Sequence, residues 1–413
     1  MAMKVMVKSD SDRNLSVQVS ARGVARLKAG HAWVYRSDIS SAVGTPAGTM
    51  VGVTDSRGKF LGTALYSSSS QIALRMISRD PVGDLPALVS ERIGAAVRYR
   101  EKIIADSNAY RVVFSEADFL PGLIVDRYDD VLSVQILTQA MDAEAVREAV
   151  LGTLVEELKP AGIVERVDAR IRELEQLRVR KSGLLRGEKS SAVITVNTMN
   201  AAPTAGPKTT GVRFHFDGME GQKTGAFLDQ RENYAAAAKY ARGEALDVFC
   251  YQGGFALHLA AKCSSVTGVD SSRPALEVAE KNAQLNGREV EWIEGSAFDL
   301  LKEYATDKRQ YDTIVLDPPA FAKSKHDLEN AMRGYKELNL RALKMLRPGG
   351  VLVTCSCSFH VSAQGFAEML TEAAVDAHRS ARILESRGQA KDHPVLLGVP
   401  ETGYLKCLIL SVS

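Results

Sequence analysis

Between residues 10 and 90 the apolar positions recur with period two, in Leu15-Ser-Val-Gln-Val, Thr49-Met-Val-Gly-Val-Thr, Phe60-Leu-Gly-Thr-Ala-Leu-Tyr and Ile72-Ala-Leu-Arg-Met-Ile. Such alternation, punctuated by glycine, predicts short strands of a small β-barrel or sandwich. Pro81-Val-Gly-Asp-Leu-Pro86 breaks the pattern. A helical period over Val89–Ala105 follows, then strand-like runs at Tyr110–Phe114, Gly122–Asp126 and Val131–Leu137. A helix over Ala143–Leu158 and runs at Gly162–Glu165 and Ser191–Val196 complete an α+β pattern. Asn200–Gly211 has no periodicity and reads as a linker. Beyond it, apolar runs alternate with longer helical stretches: Ala245–Phe249, Ser265–Val269, Val290–Ile293, Thr313–Leu316, Val351–Thr354 and Tyr404–Ser411. That order predicts a largely parallel sheet with helices on both faces. The fold class is α/β, with a doubly wound sheet at the C-terminus preceded by a small β domain and a central α+β domain. The expected divisions are 1–90, 91–205 and 206–413.

Composition changes this picture little. The chain has 413 residues, 45% hydrophobic and 25% charged, as in ordinary globular proteins. No apolar run approaches the ~20 residues that span a bilayer, and the N-terminus has no secretory pattern. A cytoplasmic protein with no membrane partner is expected. The five cysteines (Cys250, Cys263, Cys355, Cys357, Cys407) show neither disulfide-framework nor zinc spacing, so no metal is expected. The net charge of +2 does not by itself call for a nucleic acid. Local charge does more. Between residues 13 and 36 stand five cations (Arg13, Arg22, Arg26, Lys28, Arg36) and no acid, interleaved with His31, Trp33 and Tyr35. This is the composition of an RNA-contacting face, and equally of a solvated positive face around a core Trp. From Arg170 to Lys189 seven basic residues accompany three acidic ones, a second candidate for phosphate contact.

The third part carries the chemistry. Leu246-Asp247-Val-Phe-Cys250-Tyr251-Gln-Gly253-Gly254-Phe-Ala256 reads as strand, tight turn and helix start. Adjacent glycines allow close approach of backbone to a ligand. The dinucleotide pattern G-x-G-x-x-G is absent, which sets aside a nicotinamide dehydrogenase. Asp247 opens the turn and suits a cofactor with an amino-acid end. Asp270 ends the next strand, where a carboxylate commonly takes ribose hydroxyls. Tyr311–Leu316 leads into Asp317-Pro318-Pro319, two prolines that stiffen the chain and hold the carboxylate over the crevice, within reach of the amidine-like edge of a flat base.

After Leu346-Arg-Pro-Gly-Gly350 the run Val351-Leu-Val-Thr-Cys355-Ser-Cys357-Ser358 brings two thiols to the carboxyl end of a strand. Carbon-5 of cytosine is a poor nucleophile until a thiolate adds at carbon-6, so a cysteine here suggests a base-modifying enzyme. Cys355 and Cys357 lie two apart and share a strand face, so alternation does not choose between them. Cys250, Cys263 and Cys407 read as core residues.

The segments Lys223–Asn233, Asp247–Gly254, Asp317–Phe321, Arg333-Gly-Tyr335-Lys-Glu-Leu-Asn339 and Ser356-Cys-Ser resemble the bacterial large-subunit ribosomal RNA cytosine-5 methyltransferases with an N-terminal PUA domain. The resemblance covers nearly the whole chain, including Phe114–Tyr128, Asp392-His-Pro394 and Tyr404-Leu-Lys. It implies a PUA-like first domain, a Rossmann-like methyltransferase domain, S-adenosylmethionine as cofactor and ribosomal RNA as partner. It implies Cys357 as the adduct-forming residue, Asp317 steadying the cytosine and Asp270 on the ribose. Gln230 and Arg231, with Asp247, Tyr251 and Gly253, would line the donor site. Ser296 stands where such enzymes commonly carry an acid for the adenine. No Cys follows the Asp-Pro-Pro segment, so a second thiol to expel the product is not supplied there. Two rival readings are a purine N-methyltransferase, which needs no thiol, and a non-catalytic RNA-binding assembly factor, which leaves Asp317 and Cys357 without a role. Two copies could pair through an exposed edge of the central sheet as a homodimer.

Overall fold

A computed structural model describes residues 15–197, 211–219, 227–322 and 325–413. Arg13, nearly all of the expected linker Asn200–Gly211 and the start of the Lys223–Asn233 segment lie outside the described residues.

The alternating N-terminal runs form a six-stranded, mostly antiparallel sheet closed over a core of Val17, Val19, Val34, Val51, Val53 and Leu74. One element was not legible in the pattern. Ala21–Lys28 is a short helix, capped by Ser20 accepting from the Gly23 amide, in the middle of the basic stretch. Most of that stretch is engaged within the protein. Trp33 Nε1 donates to Glu116 at 3.1 Å, His31 pairs with Glu401, Arg36 donates to the carbonyls of Ser67 and Ser70, and Arg22 pairs with Asp38. The Trp33 and His31 contacts dock the first sheet against the rest of the chain, whereas those of Arg36 and Arg22 lie within it.

The central sheet has five strands, with Ala109–Phe114 and Gly183–Gly187 at its edges. Helices Leu85–Ile103 and Glu144–Leu158 pack together and onto it over Ile93, Val97, Val150 and Leu154. The first helix starts earlier than its periodicity suggests. Asp84 caps it and Pro86 sits in the first turn, where a missing N–H is harmless. A two-stranded ribbon, Ser191–Val196 with Val212–Asp217, joins this module to the next. Phe216 stacks on Tyr128 at 3.6 Å, and the His215 and Arg213 amides donate to Asn282 and Asn286.

The last sheet has seven strands: Glu244–Val248, Ser265–Asp270, Glu291–Glu294, Tyr311–Leu316, Leu346–Ser356, Ala381–Arg387 and Lys406–Val412. Numbered in chain order they lie 3-2-1-4-5-7-6. The first five run parallel; the seventh pairs antiparallel with the fifth and with the sixth, so it alone of the seven runs the other way. Strand 1 stands at the switch point, where ligands bind beyond the carboxyl ends of the strands. Apolar clusters cover both faces, one around Leu338, Leu343 and Phe366, the other around Ala237, Phe255 and Leu259. Among the described residues no helix is long and apolar enough to cross a membrane.

Candidate active site

Strand 1 ends in a sharply folded turn. Phe249, Tyr251 and Gly253 all have positive φ, at 67°, 49° and 86°. Two non-glycine residues in the left-handed region within three positions mark a backbone over-determined by its surroundings, as functional turns often are. The glycines are required by the fold itself. A Cβ on Gly253 would lie 2.9 Å from Trp292, and one on Gly254 would lie 2.5 Å from the Tyr234 ring. Gly254→Ala should therefore destabilise the protein by about 1–3 kcal/mol, read as a fall in the urea midpoint at unchanged slope.

Asp247 is fully buried within strand 1. One carboxylate oxygen accepts the Ala256 amide at 2.8 Å, in the first turn of the helix Gly254–Leu259. The other has no hydrogen-bond partner. Burial pushes its pKa up to about 8, opposed by the Ala256 amide and helped by Asp317 and Asp270. Asp270 sits at the end of strand 2, its two oxygens accepting the Tyr251 and Ser272 amides, each at 2.9 Å. The helix-capping role belongs to Ser272, so Asp270 is not a plain cap. Asp317 receives a hydrogen bond from Gln230 Nε2 at 2.9 Å. Gln230 is in turn held by Asn233. Tyr251 packs edge-on against Phe227. Asp247, Tyr251, Gly253, Asp270, Asp317 and Gln230 thus gather at one edge of the sheet.

Two of the residues expected there are turned to other work. The Arg231 guanidinium is buried and pairs with Asp106 at 2.7 Å and Asp392 at 3.6 Å, at the junction with the central module. Asp392 also accepts the Arg111 amide, and the cations around it hold its carboxyl below the usual range. Ser296 is exposed and caps the helix Ala297–Thr306 through the Asp299 amide.

The two thiols part company. Strand 5 ends at Ser356, so the shared-face argument fails at Cys357. Cys355 is fully buried, stands opposite Cys407 across the antiparallel pair, and burial raises its pKa well above the ordinary thiol value. Cys357 lies just past the strand, half-buried, its Sγ 3.8 Å from the Pro318 carbonyl of the Asp-Pro-Pro corner. Ser358 anchors the loop through Tyr335 Oη at 3.0 Å and the Ala322 amide at 3.2 Å. Of the remaining cysteines, Cys250 and Cys407 are core residues, whereas Cys263 is half-buried.

A cavity of about 620 Å³ opens between the central sheet and the segments around Phe227, His393 and Tyr404, lined by Arg111, Phe114, Arg166 and Arg170 among others. Tyr404 Oη donates to Asp229 at 2.6 Å, and burial raises the Tyr404 pKa well above the ordinary phenol value. Sequence reasoning passed over Tyr404 and Lys406 as a motif only. A lone Lys at the head of an apolar strand was the available signal.

A doubly wound sheet with acids at the ends of strands 1, 2 and 4 defines a class, the S-adenosylmethionine-dependent methyltransferases, and residues 196–409 match the family model of that description. Residues 17–79 match a PUA-like domain. The chain belongs to the ribosomal RNA large subunit methyltransferase I family. It is 36% identical to that protein of Pseudoalteromonas translucida, over 94% of this chain and 96% of the relative. It is 38% identical to that of Tolumonas auensis (92% and 95%) and 35% identical to that of Shewanella denitrificans (100% of both). A solved structure described as a SAM-dependent methyltransferase from Streptococcus mutans shares the fold, with TM-score 0.79 at 18% identity over 96% of this chain and 100% of that one.

The cofactor is S-adenosylmethionine, and the residues present fit it. The unpartnered oxygen of Asp247 and two further acids, Asp270 and Asp317, at neighbouring strands suit a ligand carrying positive charge, and Asp270 retains lone pairs for hydroxyls.

Proposed function

We propose that this enzyme methylates carbon-5 of a cytosine in large-subunit ribosomal RNA, with Cys357 as nucleophile. The observation that carries the reading is the position of the Cys357 sulfur. It is the thiol at the open edge of the sheet, against the Asp-Pro-Pro corner, while Cys355 lies in the interior. The relatives named above are called ribosomal RNA large subunit methyltransferases. The reading puts the enzyme in the cytoplasm with its substrate.

The target base must leave its stack to reach this edge. The Cys357 thiolate would add to carbon-6, placing the electron pair at carbon-5. S-adenosylmethionine supplies the methyl group. Loss of the carbon-5 proton then re-forms the double bond and releases the thiolate. Asp317, stiffened by two prolines and held by Gln230, would accept hydrogen bonds from the edge of the cytosine. RNA carrying 5-fluorocytosine should arrest the protein as a covalent adduct, because no proton can leave carbon-5. A purine N-methyltransferase would form none. Mapping methylated cytosines in ribosomal RNA with and without the gene tests the reading as a whole.

The cavity between the central sheet and Phe227 supports entry of RNA from the side of the central module. Arg170 is exposed on its rim and has no ion-pair partner among the described residues. Arg170→Glu should raise the KM for RNA on the order of fivefold, flatten its salt dependence and leave kcat and cofactor binding unchanged. An unaltered KM would remove this cavity from the RNA path.

A further inference from the structure

Lys406 opens the last strand directly opposite Ser356, where strand 5 ends. Its ammonium reaches across the loop that carries Cys357 and donates to the Ser358 carbonyl at 2.6 Å and to the Tyr404 carbonyl at 2.8 Å. Both acceptors are neutral, and no carboxylate pairs with Lys406 among the described residues. A half-buried ammonium without a counter-charge is unfavourable, and the strand would gain by an apolar residue there. Burial pulls its pKa down to about 8, and the one group that works against this pull is Cys357. An ammonium has three hydrogens, and two carbonyls leave one of them over.

We propose that Lys406 is a positioning residue whose charge holds the Cys357 sulfur as a thiolate and whose contact with the Ser358 carbonyl ties the nucleophile loop to the last strand. The inference rests on the reading of Cys357 as nucleophile. The proton lost from the thiol goes to solvent, and no covalent step involves the amine. The other titratable groups near Cys357 work in the opposite sense. Asp317 is a carboxylate at the same corner, held by Gln230. Tyr335 from the helix Leu328–Met345 and Tyr404 are buried phenols that a thiolate makes harder to ionise, and Asp229 accepts from Tyr404. Lys406 is a cation bound to the carbonyl next to Cys357. An opposite charge within a few ångströms lowers an acid's pKa by about 1–3 units, enough to move a thiol from its usual ~8.5 to neutrality.

The test is peptide-resolved alkylation of Cys357 by iodoacetamide across a pH series, in the full-length protein, in Lys406→Gln and in Lys406→Arg. The wild-type midpoint should lie below the ordinary thiol value. Lys406→Gln should raise it by about one unit, and Lys406→Arg should restore most of the shift. The kcat of Lys406→Gln should be depressed at neutral pH and recover as the pH rises, with cofactor binding unchanged. An unmoved midpoint in Lys406→Gln would overturn the inference. If that variant fails to fold, a wild-type midpoint at or above the ordinary value overturns it alone. The readout needs no RNA. Methylation persisting in Cys357→Ala would sink the nucleophile assignment, while the alkylation series would still report on Lys406.

Discussion

Cys357→Ala is expected to lose methyl transfer by at least about 10³-fold while binding S-adenosylmethionine as the parent does. The size follows from the chemistry. Carbon-5 of cytosine is not nucleophilic until sulfur adds at carbon-6, and no neighbouring side chain replaces a thiolate in that role. The groups proposed to hold the cofactor, Asp247 and Asp270, belong to strands 1 and 2, away from the loop after strand 5. Cys355→Ala is the control. Its thiol is buried against Cys407, so the change removes core contacts at a cost of about 1 kcal/mol and should leave most of the activity. Single-turnover methylation of ribosomal RNA, with cofactor affinity by calorimetry, separates the two. Turnover in Cys357→Ala, or a folded but inactive Cys355→Ala, would reverse the assignment.

Parallel strands 1, 4 and 5 were legible because they are largely buried on both faces, and strands 1, 2 and 4 carry a chemically distinctive residue: Asp247 within the first, Asp270 closing the second, Asp317 after the fourth. Ala381–Arg387 was not, because an antiparallel edge strand of mostly exposed residues shows neither an apolar run nor alternation. The helix Ala21–Lys28 escaped because it is short and basic, and its charges drew attention as a surface for RNA. The choice between Cys355 and Cys357 turns on where a strand stops, which pairing partners decide and local pattern does not. Arg231 and Gln230 are adjacent in one motif, yet Gln230 reaches Asp317 while Arg231 turns to Asp392, which arrives from the far end of the chain. Sequence spacing cannot show a partner that remote. Ser296 shows the converse case: a hydroxyl before a helix is first of all a cap.

Asp247→Asn should weaken S-adenosylmethionine binding by about 2–5 kcal/mol, the usual loss on truncating one member of a buried charge pair, without destabilising the protein in the absence of cofactor. The two halves of this expectation have one cause. A buried carboxylate with one amide donor and one unpartnered oxygen is costly until a cation arrives. Asparagine keeps the acceptor for the Ala256 amide and removes the charge. The pH dependence fixes the sign. With the pKa raised to about 8, the folded protein without cofactor holds a proton on Asp247 that the unfolded chain releases near 3.8. Its stability should therefore fall as pH rises through that window, and this contribution should vanish in Asp247→Asn. Binding a cationic ligand favours the carboxylate, so the proton must leave on binding. Wild-type affinity should rise about tenfold per unit between about pH 6 and about pH 7, with close to one proton released per cofactor. Calorimetry in buffers of different ionisation enthalpy reads both quantities. A wild-type affinity that is flat across this range would show that Asp247 does not meet the positive end of the cofactor, whatever the fate of the thiol.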